Sequence, residues 1–296
     1  MEMVEGRPAP ALRPLIGHYH GYRELDGTPG RHRGLPSPYL TLIVTLDEPL
    51  VVEAHPDPAQ SPGRYETLVG GLHTTPALIA NGVRQAGVQV ALSPLGARAL
   101  FGLPAGALRN LDVDAAMVLG HAAHELHERL NAAPSWERRF AILDELLLRR
   151  ADLGRDVPAE VARAFRLLMS TGGAMTVAEL AREVGWSARH LSARFATETG
   201  LGPKAAARVI RFDRARRQLQ RMGAARGSAG SAQGPDRAGA GLAGLAEVAV
   251  EYGYYDQAHL AREFRELAGC PPSRWLAEEF RFVQASGAAP APDSTA

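Results

Sequence analysis

Residues Thr176 to Gly200 contain two short segments of helical periodicity separated by one glycine, and this layout constrains the fold more than any other feature. Gly185 tolerates the left-handed conformation that ends a helix, and the Ser187 hydroxyl can cap the helix that follows. The inward-facing positions are Ala178, Leu180, Ala181 and Val184 on the first segment and Leu191 and Phe195 on the second. The pattern predicts a helix-turn-helix unit, whose second helix enters the major groove of DNA. An ordinary helical hairpin is the alternative.

A second copy of this layout follows in residues 242–269. Gly253 takes the position of Gly185, Asp256 takes the capping role of Ser187, and Gly269 repeats Gly200. The apolar positions of the copy are Leu245, Ala246, Val248, Ala249, Leu260 and Phe264. Two hairpins with matching glycine, cap, leucine and phenylalanine positions indicate an internal repeat rather than an accident of composition.

The two copies and the segment between them resemble the C-terminal domain of AraC/XylS-type transcriptional regulators over about residues 158–282. The most specific part is the run GYYDQ from Gly253 to Gln257, followed by Phe264, Gly269, Pro272 and Trp275. The resemblance implies a sequence-specific regulator that binds double-stranded promoter or operator DNA and works with RNA polymerase. It also implies an N-terminal domain that senses a small-molecule effector or forms a homodimer.

Side chains near the start of each second helix are the candidates for DNA contacts, because that end of a recognition helix meets the base edges. The predicted base-facing residues are Arg189, Ser192, Gln257, Ala258 and Arg262. The predicted phosphate-facing residues are Ser187, His190, Arg194, Lys204, Arg217, His259 and Arg265. Ala193 stands where the family often has an arginine, so the first helix is expected to read fewer bases. Leu180, Leu191, Phe195, Leu260 and Phe264 are predicted to be core residues.

Length and charge divide the chain into two domains. Residues 1–156 hold 15 arginines and 18 acidic residues, a balance of −3, whereas residues 157–296 hold 18 basic and 14 acidic residues, a balance of +4. A basic C-terminal half suits a polyanionic partner. We therefore predict a sensor or dimerisation domain over 1–156, a DNA-binding domain over 157–285 and a disordered tail over 286–296.

The N-terminal domain is predicted to be rich in β-strands, so the whole chain belongs to the α+β class. The run YLTLIVTL from Tyr39 to Leu46 is rich in branched and aromatic residues. Further strands are predicted at Gly17–Arg23, Leu50–Glu53, Tyr65–Gly71, Ala77–Ala80 and Val83–Leu92. Short strands between glycine and proline turns indicate a barrel or sandwich.

Helices are predicted after Pro94, at Leu95–Phe101, Ala115–Asn131 and Ser135–Ala151. The last of these has an amphipathic stripe, and the helical pair either packs on the barrel or joins two subunits. A further helix begins at Pro158, and a long connecting helix runs from about Pro203 to Met222. Its many arginines are either solvated or close to phosphates. The segment Gly223–Gly241 has small and polar residues, which predict a mobile, disordered insertion.

Two sets of histidines have spacings that could bind a metal ion. His18, His20 and Glu24 resemble the first metal motif of cupins, and His121, His124 and His127 recur every three residues. Neither set has a convincing completing ligand, so we predict no metal and no cofactor. The sequence shows no nucleophile elbow and no Walker-type phosphate loop, and we predict that the protein is not an enzyme.

Two rival functions remain: a barrel that binds or converts a small molecule, and a nonspecific architectural DNA binder. The single cysteine, Cys270, excludes an intramolecular disulfide, and a packing role is expected for it. No apolar run approaches the length of a membrane span, so a cytoplasmic protein with no membrane partner is expected.

Overall fold

A computed structural model describes residues 2–228 and 237–278, and the side chains of 224–228 and 237–243 lie outside the description. An N-terminal half built mainly of strands precedes a helical half, as the α+β prediction requires. The strands are β1 (Glu2–Gly6), β2 (Ile16–Glu24), β3 (Gly30–Gly34), β4 (Leu40–Thr45), β5 (Leu50–Ala54), β6 (Gly63–Tyr65), β7 (Thr67–Gly70), β8 (Ala77–Asn81), β9 (Gln85–Leu92) and β10 (Asp112–Asp114). The helices are α1 (Ala97–Phe101), α2 (Ala116–Leu119), α3 (His121–Ala132), α4 (Trp136–Arg150), α5 (Ala159–Ser170), α6 (Val177–Val184), α7 (Ala188–Thr199), α8 (Pro203–Ser228), α9 (Arg237–Glu251) and α10 (Gln257–Ala268).

The strands form two antiparallel sheets. The larger sheet has the order β1-β2-β9-β4-β7-β10, and the smaller has the order β3-β8-β5-β6. A small core of Val52, Leu68 and Ala77 joins them, since Leu68 belongs to the larger sheet and the other two to the smaller. The predicted barrel-like domain is therefore present as two packed sheets.

The other face of the larger sheet packs against α3 and α4. The Tyr19 ring on β2 stacks on Phe140 of α4 at 5.9 Å, and the Tyr19 hydroxyl donates a 2.9 Å hydrogen bond to Asp144. Gly21 lets α4 approach, because a Cβ at this position would lie 2.4 Å from the Trp136 ring. The helical pair thus packs on the sheets of its own chain, which was one of the two predicted arrangements.

The helix predicted over Ala115–Asn131 is interrupted. Gly120 has φ 59° and ψ −139°, a conformation outside the helical region, and it separates α2 from α3. Glycine reaches this backbone conformation without a Cβ clash, so the break needs no other cause. The sequence prediction of one continuous helix was wrong at this residue.

The predicted insertion also needs correction. Helix α8 continues past Met222 to Ser228, and α9 already begins at Arg237, so both ends of Gly223–Gly241 are helical. Alanine and arginine are good helix formers, and their presence among the glycines allows the adjoining helices to extend. Residues 229–236 and the predicted tail 286–296 lie outside the described residues.

Cys270 is buried, as its predicted packing role requires. None of the helices that the structure describes combines the length and the apolar character of a membrane span.

Candidate nucleic-acid interface

The first helix-turn-helix unit is fixed at its start by a capping box. The Thr176 side chain accepts from the backbone N–H of Glu179 at 3.3 Å, and the Glu179 carboxylate accepts from the backbone N–H of Thr176 at 2.8 Å. Two backbone donors that the first turn leaves unpaired are thereby satisfied. Helix α6 ends at Gly185, whose φ of 72° is left-handed, so the chain turns at the predicted glycine.

The second helix of this unit, α7, begins at the predicted cap. The Ser187 hydroxyl accepts from the backbone N–H of His190 at 3.2 Å. Leu180 on α6 and Leu191 and Phe195 on α7 have no exposed surface, so their assignment to the core is confirmed.

The second unit repeats the first. Gly253 has φ 77°, and the Asp256 carboxylate accepts from the backbone N–H of His259 at 2.7 Å. Leu260 and Phe264 are fully buried. They follow their cap by four and eight residues, as Leu191 and Phe195 follow Ser187, although the second unit has one more residue between glycine and cap. Matching caps and core positions orient α7 and α10 in the same way within their units.

A histidine at the third position of each second helix packs against an aromatic residue of the preceding turn. The His190 ring meets Trp186 edge-on at 4.5 Å, and the His259 ring meets Tyr254 at 5.4 Å. Nδ1 of His259 also accepts the backbone N–H of Tyr255 at 3.2 Å, which leaves Nε2 as the donor of the neutral ring. Both rings are thus held at the N-terminal end of their helix, where a phosphate is best received.

The predicted base-facing residues lie on accessible surface to different degrees. Arg189, Ala258 and Arg262 are exposed, whereas Ser192 and Gln257 are half-buried. The Ser192 hydroxyl donates its proton to the Ala188 carbonyl at 2.7 Å, so this hydroxyl is left to accept a hydrogen bond and not to donate one. Among the phosphate-facing predictions, Arg217 and His259 are half-buried, and the exposed residues are Ser187, His190, Arg194, Lys204 and Arg265.

Arg217 is placed differently from the prediction. Its Nε donates to the buried Asp213 carboxylate at 2.8 Å, one turn earlier on α8. The guanidinium also lies close enough to His18 on β2 to lower the pKa of that imidazole. The periodicity of α8 places Arg217 on the charged face, and its side chain is 36% exposed, but its Nε is bonded to a buried carboxylate. This position argues against a phosphate contact.

Other arginines of α8 are likewise engaged within the chain. Arg208 donates to Glu263 of α10 at 2.5 Å and also pairs with Glu266. Arg211 donates to the Gly173 carbonyl at 2.8 Å, just before the first unit. These bonds hold the second unit on α8 and fix α8 to the turn that precedes the first unit. The two roles predicted for the arginines, solvation and phosphate contact, did not include such bonds.

The sequence reasoning also missed a contact at the far end of α7. Glu198 has a fully buried side chain, and it receives two hydrogen bonds from Arg98 of α1, at 2.7 and 3.0 Å. Aligning the two units by their caps places Glu198 opposite Leu267, a buried apolar residue. A carboxylate at a core position of a repeat was the available signal, because a buried charge requires a partner.

Comparison with family models gives a match in the N-terminal half of the chain. Residues 4–114, which contain most of the two sheets, match a family model described as a domain of unknown function, DUF6597. No curated protein matches the chain significantly.

Several solved structures resemble the chain. The crystal structure of ToxT from Vibrio cholerae O395 is 9% identical at a TM-score of 0.46, covering 88% of this chain and 96% of ToxT. An apo variant of ToxT from V. cholerae strain SCE256 is 7% identical at a TM-score of 0.49, covering 88% and 96%. Wild-type ToxT from the same strain, bound to an unsaturated fatty acid, is 7% identical at a TM-score of 0.46, covering 92% and 97%.

His18 and His20 do not converge with Glu24, the acidic residue of the possible metal motif. The rings of His18 and His20 lie 4.5 Å apart, but His20 pairs with Glu5 at 3.2 Å. Glu24 instead accepts from the Gln85 amide at 3.0 Å, farther along β2. In the described ranges no group of three or more histidine, cysteine or acidic residues is arranged to hold a metal ion.

Proposed function

We propose that this protein is a sequence-specific DNA-binding transcriptional regulator with two recognition helices, α7 and α10. The observation that carries the proposal is the repeated cap-and-core geometry of two helix-turn-helix units in one chain. Each unit buries its leucine and phenylalanine and leaves an arginine exposed, Arg189 on α7 and Arg262 on α10. Arginine can bind guanine through two hydrogen bonds, which makes these residues the candidates for base recognition.

The phosphate contacts of this regulator are proposed for side chains on and beside the two recognition helices. Ser187, His190 and His259 lie at the helix starts. Exposed charges lie farther along, at Arg194 on α7, Lys204 in the first turn of α8 and Arg265 in the last turn of α10. Positive side chains and helix N-termini attract phosphate without reading sequence, so these residues set the register of the protein on the duplex.

Selection of bound sequences from a random duplex pool with the full-length chain tests this function. The expected result is an enriched pair of short boxes about one helical turn apart, roughly 34 Å, because each recognition helix occupies one major groove. Enrichment of no motif, with retained binding to random duplex, would instead support an architectural DNA binder. Retention of the enriched sequences under excess random competitor distinguishes the two outcomes.

The N-terminal domain is proposed to bind a small-molecule effector between its sheets. Asn81 on β8 is 6% exposed, and its side-chain Nδ2 has no hydrogen-bond partner among the described residues. Its Oδ1 lies 2.6 Å from Nδ1 of His32. Because side chains alternate along a strand, Asn81 shares the face of Ala77, which packs toward the larger sheet. An effector with an acceptor oxygen would satisfy this buried donor.

A thermal-shift screen of polar metabolites against wild-type protein and the Asn81→Leu variant tests the effector site. A compound that stabilises the wild type and not the variant supports it, whereas equal stabilisation of both places the effector elsewhere. The homodimer and the contact with RNA polymerase remain predictions from the family resemblance.

A further inference from the structure

Helix α7 has a free end and an anchored end. Arg189, His190 and Ala193 in its first turns are exposed, whereas Glu198 and Thr199 in its last turn are buried. The part of α7 that is directed toward DNA in the proposed function is therefore accessible while the opposite end is held. Contact with the N-terminal domain leaves the proposed DNA surface open.

The anchor consists first of the Arg98–Glu198 ion pair. Nε of Arg98 donates to one carboxylate oxygen of Glu198 and Nη2 donates to the other. The Glu198 side chain has no exposed surface. Two parallel bonds from a planar guanidinium fix orientation as well as distance. Arg194 also approaches this carboxylate, with its Nη2 3.8 Å away.

Close backbone packing completes the anchor. A Cβ at Gly106 would lie 2.2 Å from the Thr197 carbonyl oxygen, so the absence of a side chain permits the segment after α1 to touch the last turn of α7. A Cβ added at Gly200, which ends α7, would lie 3.6 Å from the Leu72 side chain. Rigid backbone, and not only flexible side chains, therefore forms this contact.

The same stretch of the N-terminal domain also lies close to the second recognition helix. Gly269 ends α10, and the position of a Cβ there is 3.5 Å from Pro76, four residues after Leu72. Arg33 on β3 additionally pairs with Glu278, beyond α10. One segment of the N-terminal domain, Leu72–Pro76, thus lies beside the C-terminal glycines of both recognition helices.

We propose that Arg98 and Glu198 are positioning residues for DNA recognition, through which the N-terminal domain fixes the orientation and separation of α7 relative to α10. This inference rests on the proposed function, because it concerns how the two helices address the duplex. The Arg208 and Arg211 bonds from α8 reach α10 and the turn before α6, and they leave the last turn of α7 free to shift. Anchoring at its far end removes that freedom and makes the spacing between boxes part of the recognised sequence.

The test compares wild type with Glu198→Leu in the full-length chain. Leucine is the residue at the equivalent position of the second unit, Leu267, so the variant removes the ion pair without leaving a buried unpaired carboxylate. Arg98, whose side chain is 32% exposed, can turn toward water. Glu183→Gln, which breaks the exposed Arg163–Glu183 pair inside the helical half, is the matched control.

Affinity is measured on duplexes that carry the two selected boxes at native spacing and with two or five added base pairs. Wild type and Glu183→Gln are expected to lose about 100-fold on five added base pairs, since two linked modules lose their avidity when geometry prevents joint binding. Glu198→Leu is expected to bind the native spacing about 10-fold more weakly and to lose much less on the altered spacings. The double variant Arg98→Ala/Glu198→Leu should match Glu198→Leu, because the two residues act as one pair.

A spacing profile of Glu198→Leu parallel to that of wild type would overturn the inference, whether or not its stability changes. Failure of wild type to prefer any sequence would overturn the proposed function itself, which is a separate result.

Discussion

The Asp213 carboxylate and the Arg217 guanidinium lie one turn apart on α8 and are joined by a 2.8 Å hydrogen bond. Asp213 is buried, and Arg216 pairs with its other oxygen at 2.5 Å. Burial by itself raises the pKa of Asp213, but the two guanidinium groups outweigh it and keep the pKa below its usual value. The carboxylate thus stays ionised inside the molecule, and Arg217 is a structural partner of that charge.

Replacing Arg217 should accordingly affect folding more than DNA binding. We expect Arg217→Ala to lower the free energy of unfolding by about 1–3 kcal/mol, because a buried charge loses one of its two partners. The slope of log affinity against log salt should stay unchanged. Lys204→Ala, which removes an exposed charge, should leave stability unchanged and reduce that slope by about 1. Denaturant unfolding and salt titrations of DNA binding measure both quantities, and a reduced slope in Arg217→Ala would restore it as a phosphate contact.

The two exposed arginines should act on different boxes. We expect Arg189→Ala to relax base preference in one box and Arg262→Ala in the other, each at a cost of about 1–3 kcal/mol on the selected sequence. Footprinting of full-length variants on duplexes with single-base changes assigns each residue to its box. Protection of one box alone, insensitive to Arg262→Ala, would leave the second unit with another role.

Features governed by local chemistry could be predicted from the sequence. Helix caps and turns depend on near neighbours, as at Ser187 and Asp256 and at Gly185 and Gly253. Each assignment could also be compared with the matching position in the other unit. The long strands of the N-terminal half were also predictable from their branched and aromatic residues. Strand β1 (Glu2–Gly6) was not, because its residues carry no apolar alternation, and it is held by pairing with β2 and by packing of Val4 on the core.

Long-range contacts escaped the sequence reasoning. On α8, the burial of Asp213 depends on distant parts of the chain, so the helical position of Arg217 alone did not show that it bonds a buried carboxylate. Glu198 belongs to the same class, since its partner Arg98 is 100 residues away in the chain. The partners of polar residues near an interdomain contact depend on how both domains fold, and no local sequence pattern encodes this.

The helix caps should set the stability of the recognition helices. Removing the Asp256 cap in Asp256→Ala should cost about 0.5–2 kcal/mol, because the His259 N–H loses its acceptor at the start of α10. Asp256→Asn retains a capping oxygen and serves as the control. Thermal unfolding measures the loss, and equal melting temperatures for the two variants would show that the 2.7 Å bond contributes little.

Acid should destabilise the protein through His18. Burial, the neighbouring charge of His20 and that of Arg217 lower the pKa of His18 to about 4, against a weaker opposing effect of Asp213. The folded protein therefore keeps this imidazole neutral, while the unfolded chain binds a proton as the pH falls through about 6.5. Stability from this group is complete above pH 6.5 and is lost as the pH falls toward 4. Between pH 7 and pH 5 we expect the free energy of unfolding to drop by about 2 kcal/mol on this account.

Denaturant unfolding at the two pH values should show a smaller drop in His18→Gln than in wild type, whereas His121→Gln, at an exposed position on α3, should retain the wild-type drop. An unchanged drop in His18→Gln would assign the acid sensitivity to other groups.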